Sequence, residues 1–268
     1  SDFIRSTNVP WYYLPKWLTI STPLVYIVFI FLGISLSLSK IFKRFILLDK
    51  EKETNHDDLW KNFHEKFDLH LLIFLIGTLM IIISNDATLY NGWRHIYFLY
   101  PIMIYFAAYA VNFYFKKIKL KNFLITIIFL NSLFMINTIY KLHPFQGIYF
   151  NILAGNEIHK RYEIDYWGLS NLHFLKKLIK IEKKESINIG VASWTALNRS
   201  LPFLSDGDRN RIRIVGQEYD AADYILNNFI YEVNKNYDDK YDIPDNFIKI
   251  DELNHRNTKI YEIYKRKN

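Results

Sequence analysis

Four long apolar stretches, separated by polar and basic segments, constrain this 268-residue chain more than any other feature of its sequence. The first has no charged residue, and as an α-helix it would extend roughly 33 Å, enough to cross the hydrocarbon core of a bilayer. A soluble four-helix bundle is the alternative, but uncharged runs of this length disfavour it. The sequence therefore predicts an α-helical transmembrane bundle with spans at residues 18–39, 69–84, 94–115 and 122–140.

Basic residues predict how these spans are oriented. The net charge of +7 is uneven: bases follow the first and third spans, whereas the turn at residues 85–93 contains no Lys or Arg. Because cytoplasmic loops carry the excess of Lys and Arg, this turn and everything after the fourth span are expected outside the cytoplasm. The pattern indicates a lipid bilayer as partner and argues against nucleic acid. The bases concerned are Lys40, Lys43, Arg44, Lys116, Lys117, Lys119 and Lys121.

The two ends of the chain differ from the spans. Residues 1–17 include VPWYYLPKW, whose aromatic rings favour the headgroup level of a membrane. Residues 141–268 are mixed and polar, and predict a small extracytoplasmic α/β domain. Ser170 is expected to cap a helix with an apolar face at Leu172, Leu175, Leu178 and Ile179, and residues 195–203 are expected to be helical. The predicted strands are 187–192, 211–215, 223–226, 247–250 and 259–264.

No cofactor or metal chemistry is indicated. The chain has no cysteine, which removes disulfides and thiolate ligands. Walker, G-x-G-x-x-G, HExxH and GxSxG patterns do not occur. His56, Asp57 and Asp58 lie in a loop of mixed charge and are interpreted as solvated surface.

The turn before the third span holds the first group of candidate site residues. The guanidinium of Arg94 presents a planar fork of donors suited to a phosphate, and His95 could add a second donor or transfer a proton. Tyr90 belongs to the same group. The alternative is that Arg94 only anchors the helix end at the membrane surface. Asp86 is the only carboxylate of this turn and a candidate base, although Asp beside Asn is typical of turns.

A second group lies at Asp165, Tyr166 and Trp167. A carboxylate beside aromatic rings could accept from the hydroxyls of a sugar or acceptor while the rings stack on it. The alternative is a packing corner in which Gly168 supplies an unusual backbone angle.

Several segments, in order along nearly the whole chain, carry a family resemblance. They are residues 10–15 (PWYYLP), 90–101 (YNGWRHIYFLYP), 144–151 (PFQGIYFN) with Ala154-Gly155, 163–170 (EIDYWGLS) and 222–228 (ADYILNN). Together they resemble bacterial family-39-type glycosyltransferases, relatives of the protein O-mannosyltransferases in the GT-C class.

The resemblance implies a many-helix membrane enzyme that transfers a sugar, with inversion, from a polyprenyl-phosphate donor to an extracytoplasmic acceptor. In such enzymes the catalytic carboxylate lies in the first outer loop, and this chain has no counterpart. The chain is therefore expected to be the C-terminal part of the enzyme, with a missing N-terminal transmembrane half as its partner, and to be inactive alone.

Two other classes of function are open. The chain could be a non-catalytic membrane-anchored module that binds a glycan or a protein. It could also be part of a transporter, but transporters place polar or broken segments mid-span, and these spans lack charges at their centres.

Overall fold

The computed structural model describes residues 4–47, 60, 62–232, 234–255 and 258–267. The chain divides into two compact units. The helical unit comprises Ile4–Thr138 and Phe150–Leu153, and the sheet unit comprises Ile139–Tyr149 and Ala154–Asn268. The group His56, Asp57 and Asp58 falls outside the described residues.

Four helical segments are long and apolar enough to cross a membrane, as the sequence predicts. Many of their large apolar side chains point outward, including Phe31, Phe42, Met80 and Phe129. Such extensive exposed apolar surface marks a membrane-contacting protein. The helices are α2 (Leu24–Leu47), α3 (Phe63–Ser84), α4 (Tyr100–Phe115, preceded by a 3-10 helix at Arg94–Leu99) and α5 (Ile118–Leu142).

The first of these helices begins later than predicted. Residues 18–21 belong instead to a short helix, α1 (Tyr13–Ser21), and the chain is extended at Thr22. Pro23 explains the break, because proline disfavours helical geometry at the preceding residue. At its other end α2 continues past residue 39, so that Lys40, Lys43 and Arg44 lie on the helix and not in a loop.

The other spans also differ from prediction at their ends. The third begins as a 3-10 helix with non-helical geometry at Ile96, and α4 proper starts at Tyr100 with Pro101 in its first turn. Proline suits that position because backbone N–H groups in the first turn of a helix have no acceptor within the helix, so the absence of one costs nothing. α3 starts at Phe63, earlier than the predicted residue 69, and is capped by the Asn62 side chain, which accepts from the Glu65 N–H at 3.0 Å. α5 extends beyond residues 122–140 at both ends.

Small residues bring α2 and α4 together. A Cβ placed on Gly33 would lie 1.8 Å from the backbone oxygen of Phe106, so the two helix backbones are in direct contact there. Ser37 and Ala110 are buried as well. Close approach at small residues is how membrane helices gain packing contacts. α3 joins α4 through a hydrogen bond that the Tyr105 hydroxyl donates to buried Asp68, at 2.5 Å.

The sheet unit contains the five predicted strands, in the order β2-β1-β3-β5-β4. β1 pairs in parallel with both β2 and β3, and the β3-β5-β4 part is antiparallel. The last two strands are longer than predicted, because they form one hairpin. The strands are β1 (Ile187–Val191), β2 (Ile212–Gly216), β3 (Tyr224–Asn227), β4 (Phe247–His255) and β5 (Thr258–Arg266).

In the helix before β1, α6 (Leu169–Ile181), the predicted Leu175 and Leu178 are buried together with Phe174, whereas the predicted Leu172 and Ile179 are only partly buried. The prediction that Ser170 caps it is wrong, because the helix begins at Leu169, so that Ser170 lies inside its first turn, and the N-cap is Gly168, which has no side chain. Residues 197–203 form a 3-10 helix with Pro202 inside it, followed by the short helix α7 (Asp206–Asn210). Proline removes a backbone donor and prevents a regular α-helix there.

Candidate functional site

Helix α1 provides the base of the candidate site in the helical unit. Its apolar side is buried through Leu14 and Leu18, whereas Trp11, just before it, is 70% exposed. The carbonyls at its C-terminal end would lack partners, as at any helix end. Asn151 provides the missing hydrogen-bond donors, because its side-chain amide donates to the carbonyls of Thr19 (2.6 Å) and Thr22 (2.7 Å).

The turn before the 3-10 helix is fastened to α1. Gly92, at φ +68°, donates its N–H to the hydroxyl of Tyr13 at 3.0 Å, and its α-carbon faces the Trp17 ring. The Trp93 indole N–H donates to Ser21 Oγ at 2.7 Å. Glycine is needed because a left-handed backbone is costly for other residues. These contacts hold the start of the 3-10 helix in place.

The structure brings together the three residues predicted to bind a donor phosphate. The Arg94 guanidinium lies over the Tyr90 ring, 5.6 Å from its centroid. The His95 ring meets the same ring edge-on, with centroids 5.7 Å apart. Tyr90 and His95 are exposed and Arg94 is half-buried. A guanidinium stacked on an aromatic face is oriented, which reduces the entropy lost when it binds an anion.

An aromatic surface continues from this cluster. Trp93 stacks on Tyr97 with centroids 5.0 Å apart, and Tyr97 stacks on Tyr100 at 5.7 Å. Tyr97 is 60% exposed. Amphipathic rings of this kind favour the level of lipid headgroups. The cluster therefore combines a cation with a surface suited to the boundary between lipid and water.

Asp86 has a different setting from the other predicted residues of this turn. It is exposed, and its φ of +47° places it in the left-handed turn that follows α3. The cleft it lines with Trp11 and Tyr13 has a volume of about 10 Å³. That volume suits roughly one water molecule. In the described part of the helical unit, no space for a sugar ring adjoins Asp86 in this cleft.

In the sheet unit, Asp165 stabilises the start of α6. Its Oδ1 accepts from the Leu169 N–H at 2.9 Å and its Oδ2 accepts from the Ser170 N–H at 3.0 Å. Burial raises the pKa of the carboxyl, and these amide donors act in the opposite direction. Both oxygens are thus already used inside the protein. Tyr166 and Trp167 contact each other edge-to-face, and Trp167 is 73% exposed.

Sequence reasoning missed several residues that build these sites. Tyr13, Trp17 and Asn151 lie far from the turn in sequence; the family-like segments include Tyr13 and Asn151 but not Trp17. In the sheet unit it missed Asn171 and Asn228. The Asn228 amide lies close enough to Asp165 to favour the carboxyl's charged form.

No group of three or more His, Asp or Glu side chains that could hold a metal occurs among the described residues. Comparison of the chain with protein-family models, curated proteins and solved structures finds no match. Function is therefore inferred from the residues and their geometry.

Proposed function

We propose that this chain is the C-terminal part of an integral membrane glycosyltransferase that uses a polyprenyl-phosphate-linked sugar donor. The observation that carries the proposal is the cluster of Tyr90, Arg94 and His95 at the start of the third membrane-length helical segment. A cation oriented by an aromatic ring, beside an exposed aromatic surface, suits a lipid with a phosphate headgroup. The family-like segments 90–101 and 144–151 both contribute to this region, through Arg94 and Asn151.

The reaction in this proposal is a single displacement with inversion. The acceptor oxygen bonds to the anomeric carbon of the sugar as the bond from that carbon to the phosphate oxygen breaks. A carboxylate base takes the acceptor proton, and the lipid phosphate leaves with its negative charge. Arg94 and His95 stabilise that developing charge. The resemblance implies that the base belongs to an outer loop outside these 268 residues.

The proposal places the cluster and the sheet unit on the extracytoplasmic side. The support is the charge pattern. Arg94 is at the start of the third segment, whereas four lysines lie where the third segment ends and the fourth begins: Lys116, Lys117, Lys119 and Lys121. Lysine-rich ends remain in the cytoplasm. The acceptor would then meet the donor outside the cytoplasm, where the sheet unit also lies.

Donor binding by the chain itself tests the proposal. The chain is reconstituted in nanodiscs and titrated with a short-chain polyprenyl phosphate, and binding is compared between wild type and Arg94→Ala. The loss of one charge-assisted hydrogen bond predicts about 10- to 150-fold weaker binding. Lys121→Ala is the matched control, because it removes one positive charge at the opposite end and should bind as wild type does.

The outcomes separate the functional classes. Equal binding by wild type and Arg94→Ala would overturn the role of the cluster, provided that both proteins unfold at the same temperature. Equal weakening by Arg94→Ala and Lys121→Ala would show only a general attraction of anionic lipid to a basic protein, and would also overturn the proposal.

A non-catalytic glycan-binding module is the second candidate. The observation that favours it is the exposure of two tryptophans in the sheet unit, Trp167 at 73% and Trp194 at 56%. Large exposed aromatic rings are typical of binding surfaces. Glycan binding without any polyprenyl-phosphate binding would support this class over the enzyme.

A further inference from the structure

The carboxyl ends of the parallel strands form a polar corner in the sheet unit. From β1 the chain crosses to β2 on one side, and then returns to β3 on the other side. Ligands of open α/β sheets bind outside the carboxyl ends of the strands where the direction of winding changes. Ser193 follows β1 and Asn228 follows β3 at this edge.

Buried polar groups without partners converge on this corner. Ser193 is 1% exposed and Asn228 is fully buried, yet Ser193 Oγ and the amide oxygen of Asn228 make no hydrogen bond with any described residue. The same holds for Asn171 Oδ1 in the first turn of α6. A buried amide or hydroxyl without a partner has lost its hydrogen bonds to water and gained none in return, so native proteins rarely keep several together.

These residues are close in space although they are distant in sequence. Asp165 accepts from the Ser170 N–H and is close to the Asn228 amide. The Asn171 amide donates to Thr195 Oγ1 at 2.7 Å, and Thr195 follows Ser193 by two residues. We call this group the polar corner: Ser170, Asn171, Ser193, Thr195 and Asn228.

Backbone strain occurs beside the polar corner. Phe229, directly after Asn228, has φ +61°, which is costly for a residue with a side chain. The strain is supported locally, because the Phe229 N–H donates to Asn227 Oδ1 at 2.9 Å and its ring packs on His159. Strained residues of this kind concentrate at binding sites.

The charges around the polar corner select the class of ligand. The N–H groups at the start of α6, which could bind an anion, already donate to the Asp165 carboxylate. That carboxylate would also repel a second anion. Amide and hydroxyl groups without partners can both donate to and accept from neutral hydroxyl groups. The chemistry therefore favours an uncharged polyhydroxyl ligand over a phosphate.

Two exposed tryptophans flank the polar corner. A Cβ on Gly168 would lie 3.2 Å from Thr195 Oγ1, so the segments that carry Trp167 and Trp194 are in contact. The Asn171–Thr195 hydrogen bond links the same two segments. Aromatic rings with polar groups beside them suit a sugar, which has both an apolar face and hydroxyl edges.

We infer that the polar corner, with Trp167 and Trp194, is a binding site for the neutral sugar rings of a glycan. Hydroxyl groups of one ring bind the Ser193 and Asn228 side chains, and the tryptophans hold the adjoining ring. Ligand access requires the Asn171–Thr195 bond to open, since the polar atoms are buried in this structure. That the glycan is the acceptor of sugar transfer rests on the proposed function, whereas the binding itself does not.

Binding is measured with the full chain in nanodiscs, titrated with neutral gluco- and manno-oligosaccharides and followed by saturation-transfer NMR. Trp194→Ala and Asn228→Ala should each weaken binding at least tenfold. Trp11→Ala, which removes an exposed tryptophan of the helical unit, should leave binding unchanged. Because Asn228→Ala alters a buried residue, Trp194→Ala decides if Asn228→Ala fails to fold.

Three results would overturn the inference. The first is no binding of any neutral oligosaccharide at millimolar concentration to folded wild type. The second is binding that Trp194→Ala does not weaken. The third is a crystal structure in which ordered waters satisfy Ser193 and Asn228 and remain when saccharide is present. Failure of the proposed function is measured separately, since it concerns polyprenyl-phosphate binding at Arg94.

Discussion

Replacing Gly33 by alanine should disrupt the packing of α2 against α4. The added methyl carbon would lie 1.8 Å from the Phe106 oxygen and 2.5 Å from its carbonyl carbon, whereas ordinary contact begins at 3.4 Å. The obstacle is the backbone of a helix, which cannot rotate away as a side chain can. The helices must therefore separate by more than 1 Å, or one must turn.

Separating the two helices should lower the free energy of unfolding. Overpacking a tight core typically costs about 1–3 kcal/mol, and a clash with backbone belongs at the upper end of that range. Buried Phe106 and Ala110 would lose contacts as well. We expect Gly33→Ala to lower the free energy of unfolding by about 3 kcal/mol.

The assay is reversible unfolding in mixed micelles with increasing SDS, followed by tryptophan fluorescence. Gly77→Ala on α3 is the matched control, because nothing lies within 4 Å of its added methyl group. It should leave stability unchanged or raise it by roughly 0.5–1 kcal/mol, since alanine is the better helix former. If Gly33→Ala and Gly77→Ala unfold alike, α2 and α4 do not meet at Gly33.

Two further predictions concern the sheet unit. Asp165→Ala removes the acceptor of two backbone amides, one buried and one partly buried, and should destabilise the unit by about 2 kcal/mol. Hydrogen exchange at Leu169 and Ser170 should become faster, and unchanged exchange there would contradict the capping role. Burial lowers the pKa of His159 from its ordinary 6.5, and its Nδ1 accepts from the Lys259 N–H. Its contribution to stability is present above pH 6.5 and is lost as the pH falls toward the lowered folded-state pKa, by up to about 1.4 kcal/mol per pH unit. The melting temperatures of wild type and His159→Gln are measured from pH 7.5 to 5, and their difference should change as the pH falls. Two curves of melting temperature against pH that stay parallel would refute this contribution of His159.

The two predicted groups of site residues have different positions in the structure. Tyr90, Arg94 and His95 are near one another in sequence, and one turn of chain brings their side chains together. The sequence leaves Asp165 either a ligand-binding role or a place in a packing corner, and in the structure both of its oxygens accept from the backbone of α6. A carboxylate beside aromatic residues has the same sequence pattern in either role, and burial distinguishes the two.

The four membrane-length helical segments and the five strands follow from the sequence by itself, because apolar periodicity and the absence of charge act over neighbouring residues. Helix ends were less predictable, since Pro23 and Pro101 change backbone geometry within one turn. Tertiary structure alone decided the direct contact of α2 with α4 at Gly33. It also decided that Ser193 and Asn228 lie at the same edge of the sheet. Each joins residues far apart in the chain, and their approach depends on which helices pack and which strands pair. A local sequence pattern does not predict which helices pack or which strands pair, because the stabilising free energy comes from apolar surface buried between distant segments.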